Sequence, residues 1–162
     1  MKLIFELSGE NPTLPFAELE CVGMIVAERA QIAVAECPDP NLTRRLAMTH
    51  VILKYLGECD PEIGSFRHLL QDLAIETDHS FVGRVKKVHS GGTRTVQHCS
   101  GQEFERLIGT MIKGPVDLSA PETEYRAIIS GIAAILARCF KPLIGADMTN
   151  VIPGNDHSFI PV

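Results

Sequence analysis

The sequence predicts an α+β protein, because short apolar strands alternate with segments that have a helical hydrophobic period. Of the 162 residues, 45% are hydrophobic and 22% are charged, a composition that supports a packed core rather than disorder. This length suits one ordinary domain or two small ones. No apolar run approaches the roughly 20 residues that a membrane-spanning helix needs.

The first 58 residues predict a small α+β unit. Residues 2–7 are a short apolar run typical of a strand. Thr13 is placed to cap a helix that begins near Pro15. Residues 30–35 favour a second strand, and the apolar spacing within 46–56 predicts a second helix. This element order fits a split βαβ arrangement.

The following segment predicts a helix and then a strand with basic residues. The apolar positions of the helix are Phe66, Leu69, Leu70 and Leu73. Residues 80–88 alternate as a strand does, so Arg84 and Lys86 lie on the same face. Gly91 and Gly92 then begin a loop that carries Arg94.

A further helix and a hairpin complete the pattern. Ser100 and Glu103 have the spacing of a capping box. An apolar stripe follows at positions 104, 107, 108, 111 and 112, and Lys113 is predicted in the last turn. Residues 124–129 and 132–140 form two apolar runs joined at Ser130 and Gly131. The second run fits either a buried strand or a short helix, and 142–162 is predicted to be a linker or a tail.

Charge is distributed unevenly along the chain. The net charge is −5, and residues 1–60 contribute −4 of it. The stretch 79–102 contains Arg84, Lys86, Lys87 and Arg94 and no acidic residue. Because screening makes binding a local property, such a stretch permits nucleic-acid binding despite the negative total. A solvated basic face explains the same pattern.

The sequence shows no constellation of catalytic or metal-binding residues. The five cysteines are an odd number and none are spaced C-x-x-C, which argues against a disulfide framework or a zinc ribbon and predicts a cytoplasmic location. His98 and Cys99 have no obvious further metal ligands. Asp117, Glu122 and Glu124 are predicted to be turn caps and a strand edge rather than a catalytic cluster.

Three segments together resemble a THUMP domain. They are SFVGRVKKV at 80–88, FERLIGTMIKG at 104–114 and VDLSAPETEYRAII at 116–129. Two earlier segments, FELSGENPTLP at 5–15 and RLAMTH at 45–50, resemble the N-terminal domain of archaeal tRNA (guanine(10)-N2)-methyltransferases. The resemblance covers residues 1–140.

The resemblance implies an N-terminal ferredoxin-like domain at 1–58 packed on a THUMP RNA-binding domain at 59–141, followed by a linker or tail at 142–162. It also implies that the pair holds the acceptor end of a tRNA for a methyltransferase domain or subunit that binds S-adenosylmethionine. The catalytic Asp-or-Asn-Pro-Pro-aromatic motif of that domain is absent from this sequence. The chain is therefore expected to have no methyl-transfer site and no cofactor of its own.

Basic residues are the candidates for phosphate contacts, because neutralising phosphates dominates affinity for nucleic acids. The candidates are Arg84, Lys86, Lys87, Arg94, Lys113, Arg138 and Lys141. Two other functions stay open. The acidic N-terminal unit would dock a separately encoded RNA-modifying enzyme, or the chain would be an enzyme that uses cysteine or carboxylate chemistry.

Overall fold

A computed structural model of the chain describes residues 1–29, 31–88 and 100–139. Its strands are β1 (Lys2–Leu7), β2 (Met24–Arg29), β3 (Ile32–Glu36), β4 (Thr49–Cys59), β5 (Phe81–Lys87), β6 (Thr123–Ile129) and β7 (Ala134–Cys139). Its helices are α1 (Leu14–Glu20), α2 (Ile63–Leu73) and α3 (Gly101–Met111), with a 3₁₀ helix at Pro40–Arg45. The predicted α+β class is confirmed. The predicted linker or tail at 142–162 lies outside the described residues.

The seven strands of the described residues form one mixed sheet in the order β2-β3-β1-β4-β7-β6-β5. Strands β5 and β6 are parallel, and the other neighbouring strands are antiparallel. β4 lies at the centre, where it pairs with β1 from Thr49 to Lys54 and with β7 from Leu53 to Cys59. The predicted boundary after residue 58 therefore falls inside β4, and the division into two domains stays a prediction.

The sequence interpretation of 46–56 as a helix is wrong, because this segment enters β4. Ile52 packs on one face of the sheet with Phe5, and Leu53 packs on the other face with Ile4. A strand that is buried on both faces loses the alternation of apolar and polar residues, so periodicity does not distinguish it from a helix. β2 was also missed, since no strand was predicted between the first helix and residue 30.

The helices cover one face of the sheet in two groups. α1 packs Leu19 onto a cluster that includes Leu3, Phe5 and Ile52. α2 and α3 pack Phe66 and Phe104 over the strands β5, β6 and β7 and the end of β4. In the part of the chain that the structure describes, no helix is long and apolar enough to cross a membrane.

The opposite face of the sheet is concave, and its core is built by strands. Its apolar cluster contains the buried residues Ile4, Ile32, Val34, Leu53, Ile128, Ile135 and Ala137. Glu6 on β1 contacts Lys86 on β5, although four strand spacings separate them. In a flat sheet that separation would be about 19 Å, which is farther than the two side chains can reach together. The sheet therefore curls so that β1 faces β5 and β6.

The helices α1 and α3 begin close to the predicted residues, but the predicted capping hydrogen bonds do not form. Thr13 is the N-cap of α1 but its side chain makes no capping bond. Instead, Asn11 Oδ1 accepts hydrogen bonds from the backbone N–H groups of Thr13 and Leu14, each at 2.9 Å. Ser100 precedes α3 as predicted, but its side chain makes no capping bond, so the predicted capping box is not formed. The predicted hairpin at Ser130 and Gly131 is confirmed. The second run, for which a strand and a helix were both possible, contains the strand β7.

Candidate nucleic-acid interface

The predicted RNA-binding residues that the structure describes do not form one surface. Arg84 and Lys86 lie on the concave face of β5, as the alternation predicts. Lys87 points to the helical side, where its side chain passes close to Gly101 at the start of α3. Arg138 on β7 stands opposite Tyr125, a residue of the core beneath α2 and α3. Arg94 and Lys141 lie outside the described residues.

Lys113 lies in a separate region, just beyond the C-terminal end of α3. The helix ends at Met111, so Lys113 lies beyond the last turn in which it was predicted. Its ammonium group makes an exposed ion pair with Glu76. The hydrogen bond and the charge of Lys113 lower the pKa of Glu76, and the same contact raises the pKa of Lys113. Exposed pairs of this kind contribute little to stability and leave the cation accessible.

Lys54 is a further cation, and it was not among the predicted RNA-binding residues. It is half-buried on β4 and stands directly opposite Arg138 on β7. Like charges that face each other across an antiparallel pair are unfavourable, by a fraction of a kcal/mol. The two cations lie between the cluster under α1 and the cluster under α2 and α3.

Four charged side chains meet on the concave face, and we call them the concave ion cluster: Glu6, Lys86, Glu124 and Arg126. One carboxylate oxygen of Glu6 accepts a hydrogen bond from Lys86 Nζ at 2.6 Å, and the other oxygen accepts one from Arg126. Glu124 accepts hydrogen bonds from the remaining guanidinium nitrogens of Arg126. Glu6 is almost completely buried, with 7% of its side chain exposed.

The concave ion cluster holds Arg126 in its charged form. Burial alone would lower the pKa of Arg126, but the charges and hydrogen bonds of Glu6 and Glu124 outweigh it, so the pKa lies above its ordinary value. Sequence reasoning missed Arg126 and Glu6 as partners because they are 120 residues apart. Their pairing follows from the curl of the sheet, which local patterns do not specify.

Arg84 is the accessible cation beside this cluster. It is exposed and is aligned with Arg126 on the neighbouring parallel strand. Within the described residues, no ion pair or hydrogen bond involves its side chain. On the other side of β5, Glu105 accepts a hydrogen bond from Val85 N–H at 3.2 Å, which satisfies a backbone donor of this edge strand.

The residues considered for catalysis have structural partners. Asp117 accepts hydrogen bonds from the backbone of Ser119 and Ala120, and Glu122 accepts one from Ser80 N–H. These bonds lower the pKa of both carboxyl groups. The predicted role of Asp117 as a turn cap is thus confirmed, whereas Glu124 was predicted at a strand edge and lies in β6, which has a neighbouring strand on each side.

Cysteine and metal chemistry finds no support among the residues that the structure describes. Burial raises the pKa of Cys59 to about 11, which is the opposite of what a nucleophilic thiol requires. Burial likewise raises the pKa of Cys37. In the described ranges, no group of three or more histidine, cysteine, aspartate or glutamate residues is arranged to hold a metal ion. His98 and Cys99 lie outside those ranges.

Comparison of the structure with known ones identifies the fold. The chain superposes on TrmN from Thermus thermophilus with a TM-score of 0.63 and 17% sequence identity, covering 86% of this chain and 46% of TrmN. A predicted N6-adenine-specific DNA methylase from Listeria monocytogenes gives a TM-score of 0.59 at 10% identity, covering 85% and 40%. A 4-thiouridine synthetase, solved as an RNA complex with bound ATP, gives 0.57 at 10% identity, again covering 85% and 40%.

This chain has the fold of one part of these proteins. It spans less than half the length of each of the three. No family model matches its sequence, and no curated protein sequence does. At this level of identity the likeness defines the fold alone.

Proposed function

We propose that the chain is a tRNA-binding module of the THUMP type that docks the acceptor end of a tRNA for a guanine-N2 methyltransferase. The observation that carries the proposal is the shared fold with part of a 4-thiouridine synthetase whose structure is an RNA complex. The same fold occurs in TrmN and in a predicted methylase. A fold that recurs beside different enzymes suits a binding module better than a catalytic one.

The distribution of charge supports this proposal. Arg84 is exposed at one sheet edge, and Lys87 is exposed on the same strand. Lys113 is exposed at the end of α3. Each could contact a phosphate of a folded RNA, whose recognition depends on shape and on its single-stranded end more than on sequence in helices. S-adenosylmethionine would bind to the associated methyltransferase domain and not to this module.

Titration of the chain with tRNA at several salt concentrations tests the proposal. We expect affinity to fall as salt rises, and to fall again when the single-stranded 3′ end is removed. Arg84→Gln should weaken binding about three- to tenfold and reduce the salt slope by about one, as the loss of one phosphate contact does. Arg67→Gln, which removes an exposed arginine of α2, is the matched control. Binding that is absent, or indifferent to salt, would contradict the proposal.

A second function, that of a subunit which docks a separately encoded RNA-modifying enzyme, is favoured by the other edge of the sheet. β2 is an edge strand of the sheet that the described residues form, and it exposes Met24 and Val26, with 63% and 43% of their surfaces accessible. An edge of this kind can accept a strand from another protein. Under this function the chain co-purifies with a methyltransferase, and Val26→Lys abolishes the association without changing tRNA affinity. A complex that survives this substitution would argue against it.

A further inference from the structure

The concave ion cluster and Arg84 together contain cations that could bind an anion, and two carboxylates that already pair with some of these cations. Arg84, Lys86 and Arg126 supply three positive charges, and Glu6 and Glu124 supply two negative ones. Arg84 and Arg126 are aligned on neighbouring strands about 4.8 Å apart, and Lys86 lies two residues, about 6.6 Å, farther along β5. Three cations are thus grouped on one face of two adjacent strands.

We propose that Arg84, Lys86 and Arg126 form a phosphodiester-binding site, and that the Glu6 carboxylate competes with the RNA phosphate for this site. This inference rests on the proposed RNA binding and adds to it a site at which a carboxylate of the protein competes with the RNA. Glu6 makes with Lys86 and Arg126 the same charge-assisted hydrogen bonds that a phosphate oxygen would make. RNA must therefore draw Lys86 away from Glu6 before that lysine contributes to binding.

The exposures of the three cations define how the exchange proceeds. Arg84 is accessible and contacts the phosphate first. Lys86 is 37% exposed, so its flexible side chain can turn from Glu6 toward solvent. Arg126 is only 18% exposed and is held by two carboxylates, so it stays in place and contributes its charge to the site. Glu6, buried beneath them, limits the affinity for a single phosphate.

The physical consequence is selectivity for RNA that makes many contacts. An isolated phosphate or a short oligonucleotide contacts Arg84, but this contact does not offset the free energy lost when Lys86 leaves Glu6. A folded tRNA that also contacts other parts of the protein offsets that loss. A built-in competitor of this kind weakens non-specific binding more than specific binding, because specificity is a difference between affinities.

Glu6→Gln tests the inference, since glutamine keeps the size and an acceptor oxygen while it removes the charge. We expect tRNA affinity to rise about three- to tenfold and the salt slope to become steeper by about one, because Lys86 becomes a phosphate contact. The gain should vanish in Glu6→Gln combined with Lys86→Gln. Glu20→Gln, an exposed carboxylate of α1, controls for the general change in net charge.

The outcomes separate this inference from the proposed function. Wild-type binding with equal or weaker binding by Glu6→Gln would overturn the inference and leave the function intact, because Glu6 would then be a structural counter-ion. Absence of wild-type binding would overturn the function itself. If Glu6→Gln does not fold fully, as circular dichroism would show, Glu6→Asp tests the same prediction. The shorter side chain keeps the negative charge next to Arg126 but draws back from Lys86, so tRNA affinity should still rise, by less than in Glu6→Gln, and this gain should also vanish when Lys86→Gln is added.

Discussion

Phe104→Ala should lower the free energy of unfolding by about 3–5 kcal/mol, the usual range for a large aromatic side chain removed from a core. Phe104 lies on α3 and is fully buried. Its ring centroid is 4.9 Å from that of Phe66 on α2, with the two rings tilted by 58°. This pair joins the two helices to each other above the sheet. Alanine would leave a cavity at that junction, and the helices cannot close it without leaving the strands beneath.

Urea denaturation followed by circular dichroism measures this loss. Leu118→Ala is the control, because Leu118 is 71% exposed and its truncation should change stability by no more than about 0.5 kcal/mol. Similar effects of the two substitutions would show that Phe104 does not occupy the core position described. Retention of tRNA binding by the folded fraction of Phe104→Ala would further separate stability from function.

Gly83→Ala should lower the stability by about 1–3 kcal/mol, the range for an added methyl group in a closely packed region. A Cβ at this position of β5 would stand 2.8 Å from Ile108 Cγ2 and 2.9 Å from Ile108 Cβ. It would also approach the backbone oxygen of Glu105 to 3.3 Å. Because two of these neighbours belong to the branched stem of Ile108 on α3 and the third is backbone, the helix itself must shift.

Gly109→Ala is the matched control on the same helix, and the opposite sign is expected. No atom lies within 4 Å of the Cβ that alanine would add there. Alanine is favoured over glycine inside a helix by about 1 kcal/mol, so this variant should be as stable as wild type or more stable. Thermal or urea unfolding of both variants makes the comparison. A stabilising Gly83→Ala would mean that α3 does not pack on β5 in the way described.

The two glycines show where sequence reasoning reaches its limit. Both occur in segments whose secondary structure was predicted, since 80–88 was assigned to a strand and the apolar stripe that begins at Phe104 to a helix. Nothing in the local pattern distinguishes them. The contact between β5 and α3 makes the first glycine necessary and leaves the second free, and that contact depends on the tertiary arrangement.

For the same reason, the sequence predicted on which face some candidate residues lie but not which side chains they contact. Alternation along β5 placed Arg84 and Lys86 on one face, and the structure agrees. It did not indicate that Lys86 is paired with a buried carboxylate at the other end of the sequence. The assignment of these residues to RNA binding stays a prediction until the titrations are made.

The sequence by itself determined the α+β class, the strands β1, β3 and β5, the helices α1, α2 and α3, and the turn that joins β6 and β7, although it left β7 as either a strand or a helix. The helices and β5 have a one-sided apolar pattern, β1 and β3 are short apolar runs, and local chemistry specifies the turn. Only the tertiary structure decided the identity of β4, which has buried residues on both faces and, at 11 residues, is long enough for its apolar spacing to fit a helix. It also decided the concave ion cluster, because the curl of the seven-stranded sheet brings Glu6 to Lys86 and Arg126. Sheet curvature is a sum over many strand contacts, and no single segment encodes it.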